Sequence, residues 1–222
     1  MRASIMSLRD KMPYDDRYAY AQKWIHKYHK DFKVDIEVTG LENVPKDEGI
    51  FFVGNHQGKD DCLLTLQALQ DLPTRWLITK ERAGGPIMSS MCKAFKAKLL
   101  DTHDLRAQVE LYKEMGEELK AGSRFIVFPE AEYDENHNSM SEFHSACFDP
   151  VLRSQCTVVP FCLYDSWRVF EDPSKETVRV GVHFLPPIRA EEYKTLNRKS
   201  LTVLTQSRIQ EKLDELTFKN KN

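Results

Sequence analysis

The chain predicts an α/β fold, a single mixed sheet flanked by helices, with an amphipathic helix ahead of the sheet. Short apolar runs alternate with longer segments of helical spacing along the chain, the pattern of helices packed on a sheet. No internal repeat or low-complexity linker interrupts the alternation. At 222 residues the chain also suits one domain with a substantial core.

The first element is a helix. Tyr14, Tyr18, Ala21, Ile25, Tyr28 and Phe32 recur at steps of four, three, four, three and four, which makes one apolar stripe. Trp24 lies beside the stripe and Lys23, Lys27 and Lys30 lie close by. Such a helix either docks onto the sheet or rests in a membrane interface, with its rings at headgroup depth and its ammonium groups on lipid phosphates. Docking is the first expectation, because any surface helix of a globular protein needs an apolar stripe. The chain thus divides into an amphipathic segment over 1–33 and a sheet domain over 34–218.

Strands are expected at Val34 to Val38, Ile50 to Val53, Arg75 to Ile78, Phe125 to Phe128, Thr157 to Leu163 and Val178 to Phe184. Helices are expected at Asp61 to Leu69, Ile87 to Phe95, Leu105 to Leu119 and Leu201 to Leu216. The polar stretch Asp134 to Glu142 reads as an exposed loop, and Lys219 to Asn222 as a fraying tail.

Composition narrows the function classes. With 32 basic against 34 acidic side chains, the charge balance gives no reason to expect a nucleic-acid partner. No apolar stretch approaches the roughly 20 residues that span a bilayer, and Met1 to Met6 lack the apolar core of a signal peptide. The protein is expected in the cytoplasm, peripheral on the cytoplasmic face of a membrane. Cys62, Cys92, Cys147, Cys156 and Cys162 form an odd set without C-x-x-C pairing, which reads as reduced thiols. His137, His144 and Cys147 match no common metal spacing.

The most informative stretch is Asn55-His56-Gln57-Gly58-Lys59-Asp60-Asp61, directly after the apolar run from Ile50 to Gly54. Five residues separate His56 from Asp61, and on an ideal helix the two would point about 140° apart. A workable geometry places His56 in the loop after the strand, turns the chain at Gly58, and starts a helix near Asp60 and Asp61 so that a carboxylate folds back onto the imidazole. An imidazole oriented by a carboxylate is a general-base dyad. From the residues alone, either Asp60 or Asp61 serves as the orienter.

Further motifs give that histidine a context. Gly40-Leu41-Glu42-Asn43-Val44-Pro45 precedes the strand leading to Asn55-His56-Gln57, Thr79-Lys80-Glu81 follows another strand, Phe128-Pro129-Glu130 ends a third, and Val158-Val159-Pro160-Phe161 lies beyond. In that order they resemble the G-L-E-N-x-P…N-H-x-S-x-x-D, A-K-K-E, F-P-E-G-T-R and V-P-V segments of the glycerolipid acyltransferases, the lysophosphatidate acyltransferase family. The resemblance runs from about Gly40 to Tyr164.

The resemblance implies that His56 takes a proton from an acceptor hydroxyl, which attacks the thioester of an acyl-CoA or acyl-carrier-protein donor. Family spacing then favours Asp61 over Asp60 as the orienter. The same likeness assigns Asn55, Gly58, Lys80, Phe128, Pro129 and Glu130 to substrate binding, although Phe128 and Pro129 also read as scaffold at a strand end. Backbone N–H groups near the helix start are expected to face the tetrahedral oxyanion. The implied partners are a thioester donor, a lysolipid acceptor and a membrane surface, and no metal or tightly bound organic cofactor is required.

Several residues depart from the family pattern. Gly58 replaces the usual serine, and Lys59 and Asp60 replace residues that are commonly apolar. Thr102, in Leu100-Asp101-Thr102, stands where members using glycerol phosphates carry an arginine, and Tyr133 stands where F-P-E-G-T-R ends in one. Both changes remove bidentate phosphate donors, and Glu132 adds a negative charge. Lys80 is the first candidate for a replacement cation, ahead of Arg82, Lys96, Lys98 and Arg106. An acceptor without a glycerol phosphate, a lipid-binding protein that has lost catalysis, and a hydrolase are the competing readings.

Overall fold

The computed structural model describes residues 12–133, 137–172 and 176–219. The expected loop from Asp134 and the tail beyond Lys219 therefore fall partly outside the described residues. Strands β1 (Val34–Thr39), β2 (Ile50–Gly54), β3 (Arg75–Thr79), β4 (Lys98–Leu100), β5 (Arg124–Val127), β6 (Thr157–Tyr164) and β7 (Val178–Phe184) form one seven-stranded sheet in the order β1-β7-β6-β2-β5-β3-β4. Neighbours run parallel except β6 and β7, which are antiparallel, so the sheet is mixed as expected.

β2 lies at the centre, with Ile50 opposite Arg124 of β5 on one side and Thr157 of β6 on the other. Every residue of β2 is buried, as a parallel strand covered on both faces must be. Side chains alternate across a strand, so β2 feeds two cores. Ile50 and Phe52 pack with Tyr18, Ile25, Leu64, Phe95 and Phe161. Phe51 and Val53 pack with Met115, Phe148, Tyr193, Ile209 and Leu213 on the other face.

The first core is closed by helices α1 (Tyr14–Asp31), α2 (Asp61–Ala68) and α3 (Pro86–Ala94), and the second by α4 (Leu105–Lys120), α5 (Asp149–Ser154) and α8 (Arg198–Lys219). Two single-turn helices, α6 (Arg168–Glu171) and α7 (Ala190–Tyr193), complete the set. The chain enters β2 after Gly40, which adopts a left-handed φ of 76°; a Cβ there would meet the carbonyl oxygen of Phe184 at 1.9 Å, so only glycine fits.

The expected elements hold to within a few residues at their boundaries, and the short helices α5, α6 and α7 add to them. β4 was not anticipated, because three residues following Lys96 and Ala97 carry too little alternation to register, and Leu99 in it is exposed on an edge strand. Phe128 lies beyond the end of β5 rather than within it.

The stripe of α1 faces the protein. Tyr18, Ala21 and Ile25 are buried, but the buried line continues through Gln22 to His29, whereas Phe32 is exposed and Tyr28 only partly covered. Tyr18 donates its hydroxyl hydrogen to Leu69 O at 3.0 Å, and Gln22 Nε2 donates to Leu66 O at 2.7 Å. These bonds satisfy carbonyls that the end of α2 leaves without helical partners. A membrane contact through this helix would have to use its other face, which carries Lys23 and the half-exposed Trp24. Among the described residues no helix is long and apolar enough to cross a membrane.

Replacing Ile25 with alanine is expected to lower the free energy of unfolding by about 2–5 kcal/mol, measured by urea denaturation, because its side chain is buried between α1 and the sheet.

Candidate active site

The loop from β2 to α2 lies at the carboxyl ends of the central parallel strands, where open α/β sheets place their ligands. Its path is held by side chains of its own sequence. Asn55, fully buried, accepts from Leu163 N at 2.7 Å and donates from Nδ2 to Leu163 O at 3.0 Å, so it pairs with β6 as a further strand residue would. Gln57 Nε2 donates to the same carbonyl at 2.8 Å. With both amide atoms engaged on backbone, Asn55 fastens the loop.

Asp61 is the first residue of α2 and has no solvent exposure. Its Oδ2 accepts from Gln57 N at 2.5 Å, from Gly58 N at 2.9 Å, and from His56 Nδ1 at 2.7 Å. The bond to the carboxylate places a proton on Nδ1, which leaves Nε2 as the basic nitrogen of the neutral ring. The His56 side chain is 16% exposed. Its ring stacks on Phe128 with centroids 4.7 Å apart and meets the Tyr133 ring edge-on at 4.7 Å. Two aromatic contacts and one carboxylate thus hold the imidazole in place.

Asp60 takes a different partner. Its Oδ2 lies 2.8 Å from His29 Nε2 on α1, and both side chains are about 1% exposed. Of the two acids that the residues alone left open, Asp61 meets His56. No motif singled out His29, but its position four residues beyond Ile25 on the apolar stripe was a readable signal.

Gly58 does not turn the chain through a left-handed φ; the turn is closed by Asp61 N donating to Gly58 O at 3.4 Å. What its missing side chain permits is close approach: a Cβ would sit 3.3 Å from the Cα of Trp167. The Gln57 and Gly58 N–H groups serve Asp61, and the His56 N–H serves Glu130 at 2.7 Å. The expected oxyanion role therefore does not fall to these three donors.

Glu130 is buried and joins two loops, since its other oxygen accepts from Ser141 N at 2.5 Å. Pro129, also buried, accepts from His144 N at 2.9 Å in the same crossing of loops. Burial pushes the Glu130 carboxyl up to about 7, against the two backbone donors, which favour its ionised form.

Lys80 is half-exposed and pairs with Asp101 at 2.9 Å, a contact that raises the affinity of its amine for a proton. Lys98 pairs with Glu114 and Glu118, and Lys96 lies over the Tyr14 ring. The cation linked to the dyad is Arg82, whose guanidinium lies 5.3 Å from the Tyr133 ring centroid. It forms no salt bridge among the described residues. Lys80, the first candidate, thus holds an acid partner, whereas the Arg82 guanidinium rests on the ring that touches His56. Thr102, half of the arginine deficit, donates to Glu81 at 3.5 Å.

Among the described residues no group of three metal-binding side chains converges. Cys92, Cys147, Cys156 and Cys162 are buried as small apolar groups, and Cys62 is partly buried.

Stability should respond to the Glu130 carboxyl. Its proton is held more tightly in the folded than in the unfolded chain, so the stabilising contribution is complete below pH 4.5 and is lost as pH rises through about 7. In Glu130→Gln this part of the decline, at most about 3 kcal/mol, is expected to disappear from denaturation midpoints measured between pH 4.5 and pH 8, while stability at acidic pH falls because the side-chain NH2 then faces one of the two backbone N–H groups that donate to the carboxyl oxygens.

No curated protein sequence matches the chain. Among solved structures, the chain is similar to the 1-acyl-sn-glycerophosphate (LPA) acyltransferase PlsC from Thermotoga maritima, at 22% identity and a TM-score of 0.73 over 96% of this chain and 86% of that one. A sequence profile described as Acyltransferase matches residues 35–164, from the first strand through the His56 loop and Glu130 to the end of β6. That span covers more than half of the molecule and every residue that builds the dyad, and the chain belongs to the Acyltransferase family.

Proposed function

We propose that the protein is an O-acyltransferase that moves a fatty acyl group from acyl-CoA or acyl-carrier protein to a hydroxyl of a lysophospholipid-like acceptor, with 1-acylglycerol-3-phosphate as the first choice. The observation that carries the reading is the 2.7 Å contact between His56 Nδ1 and the buried Asp61 carboxylate at the end of the central strand. Support for the acceptor comes from the similar Thermotoga maritima PlsC, a 1-acyl-sn-glycerophosphate acyltransferase.

In this mechanism His56 Nε2 takes the proton of the acceptor hydroxyl as its oxygen attacks the thioester carbonyl. Asp61 holds the ring in the tautomer that presents Nε2 and stabilises the imidazolium. The N-terminus of α2 favours the Asp61 anion. The tetrahedral intermediate then expels the thiolate, the imidazolium returns the proton to sulfur, and the products are an ester and a free thiol. A base placed in this way contributes about 10² to 10⁴ in rate. The reading places the protein at a membrane surface, where its acceptor resides.

A second reading within the same chemistry, an acceptor without a phosphate, is favoured by Thr102 and Tyr133 standing where family members carry arginine. Arg82 weighs against it. Its guanidinium on the Tyr133 face offers a fork of donors to an anionic headgroup beside the dyad.

Labelled acyl-CoA and acyl-carrier protein, each offered with a panel of lysolipids, test the proposal. Lipid product supports transfer, whereas free fatty acid alone indicates hydrolysis and no product at all indicates a binding protein. A folded His56→Ala chain is expected to make no product above background.

Asp61→Asn is expected to lower kcat by at least about hundredfold and Asp60→Asn by only about threefold, with circular dichroism as the folding control; equal losses would remove Asp61 from its role. Arg82→Ala is expected to raise KM about tenfold for lysophosphatidate and to leave KM for monoacylglycerol within about twofold. Equal effects on the two acceptors would favour the uncharged one.

A further inference from the structure

A second histidine–carboxylate pair lies one residue away from the dyad, wholly inside the protein. Asp60 and Asp61 are consecutive carboxylates with almost no solvent exposure, and each needs its own donor, since two adjacent buried anions repel and neither is screened by water. Asp61 has His56 and two backbone N–H groups. Asp60 has His29 on its Oδ2, and its Oδ1 makes no hydrogen bond among the described residues.

From these contacts we infer that His29 is a positioning residue: by supplying the donor that the buried Asp60 carboxylate needs, it keeps that acid seated in the first turn of α2 and so leaves Asp61 aimed at His56. The inference rests on the proposed roles of His56 and Asp61.

His29 grips α2 at two places. Nε2 meets Asp60 at the start of the helix and Nδ1 meets Gln67 Oε1 at 2.5 Å near its end. Both ring nitrogens are therefore engaged by side chains of α2 and its cap, so one ring ties the start of that helix to its end. Asp60 does not cap its own helix with its side chain; the carboxylate turns to His29 instead. Its backbone carbonyl accepts the Leu64 N–H at 2.9 Å, and the next carbonyl, of Asp61, accepts the Thr65 hydroxyl at 2.8 Å. A displacement of Asp60 thus passes to Asp61 across one peptide bond.

This coupling predicts an asymmetry between the two partners. Removing the histidine leaves the buried Asp60 carboxylate with only the Tyr28 hydroxyl beside it, whereas neutralising the acid leaves an imidazole with an amide for a partner.

The test uses the full chain with acyl-CoA and lysophosphatidate, and compares His29→Leu, Asp60→Asn and the double variant. His29→Leu is expected to lower kcat at least about thirtyfold with KM for both substrates within about twofold, Asp60→Asn to lower kcat about threefold, and Asp60→Asn in the His29→Leu background to restore at least about tenfold. An activity-independent measurement runs in parallel: the nuclear magnetic resonance signal of the His56 Nδ1 proton, assigned by its loss in His56→Gln, should move in His29→Leu and return in the double variant.

An unchanged His56 signal and kcat in folded His29→Leu would overturn the inference, as would a double variant that fails to recover. If His29→Leu does not fold, the double variant decides: a folded chain with the wild-type signal supports the pair, and an unfolded one shows that His29 serves only the core. If the signal moves as expected while the wild-type protein transfers no acyl group to any acceptor, the coupling stands and the proposed function falls.

Discussion

The site depends on one buried anion. A carboxylate without solvent contact is strongly disfavoured unless donors replace the lost water, and Asp61 meets this demand with three donors supplied by the preceding five residues. All three converge on Oδ2, and Oδ1 has no partner among the described residues. The loop conformation and the orientation of His56 are therefore not separate features. The backbone of Gln57 and Gly58 wraps onto the acid, and the same acid aligns the ring, so a change that moves the loop also moves the proposed base.

That loop needs a rigid floor. β2 provides one because its alternating side chains lock it into two cores at once, and Asn55 prolongs its pairing to β6 beyond the last strand residue. Glu130 closes the arrangement from the β5 side by accepting from His56 N and Ser141 N. The high proton affinity of Glu130 follows from that position, since burial outweighs two hydrogen bonds. The proposed base thus has one acid on its ring and another on its backbone, each anchored to a different segment.

Much of this was legible in the sequence, for reasons that are specific to each element. The strands around His56 are short apolar runs with sharp ends, and the helices carry long periodic faces. β4 escaped notice because an edge strand of three residues with a lysine in it has neither property. The stripe of α1 was followed to Tyr28 and Phe32 because they are aromatic, while burial continues through Gln22 and His29; a polar residue on a buried line signals a partner elsewhere in the chain, but not which one. The same limit applies to Asp60, whose partner lies 31 residues away, and to Arg82, whose contact with Tyr133 depends on how two loops cross. Spacing along one segment reveals the local pair, and only the assembled sheet reveals partners drawn from distant ones.

The acceptor end of the site follows from how charge is distributed there. An arginine at position 133 would bring a guanidinium directly beside the imidazole, where the two cations would repel once His56 is protonated. Tyr133 instead places a neutral ring against His56 and lets Arg82 rest on its face, one ring further out. Arg82 is exposed, so water screens its charge and its attraction for an anionic headgroup acts at close range. It also opposes formation of the imidazolium less than a neighbouring guanidinium would. The replacement therefore does not by itself argue against a phosphate-bearing acceptor; under the proposed reading it sets the phosphate partner apart from the proton transfer and leaves the orientation of His56 to Phe128, Tyr133 and Asp61.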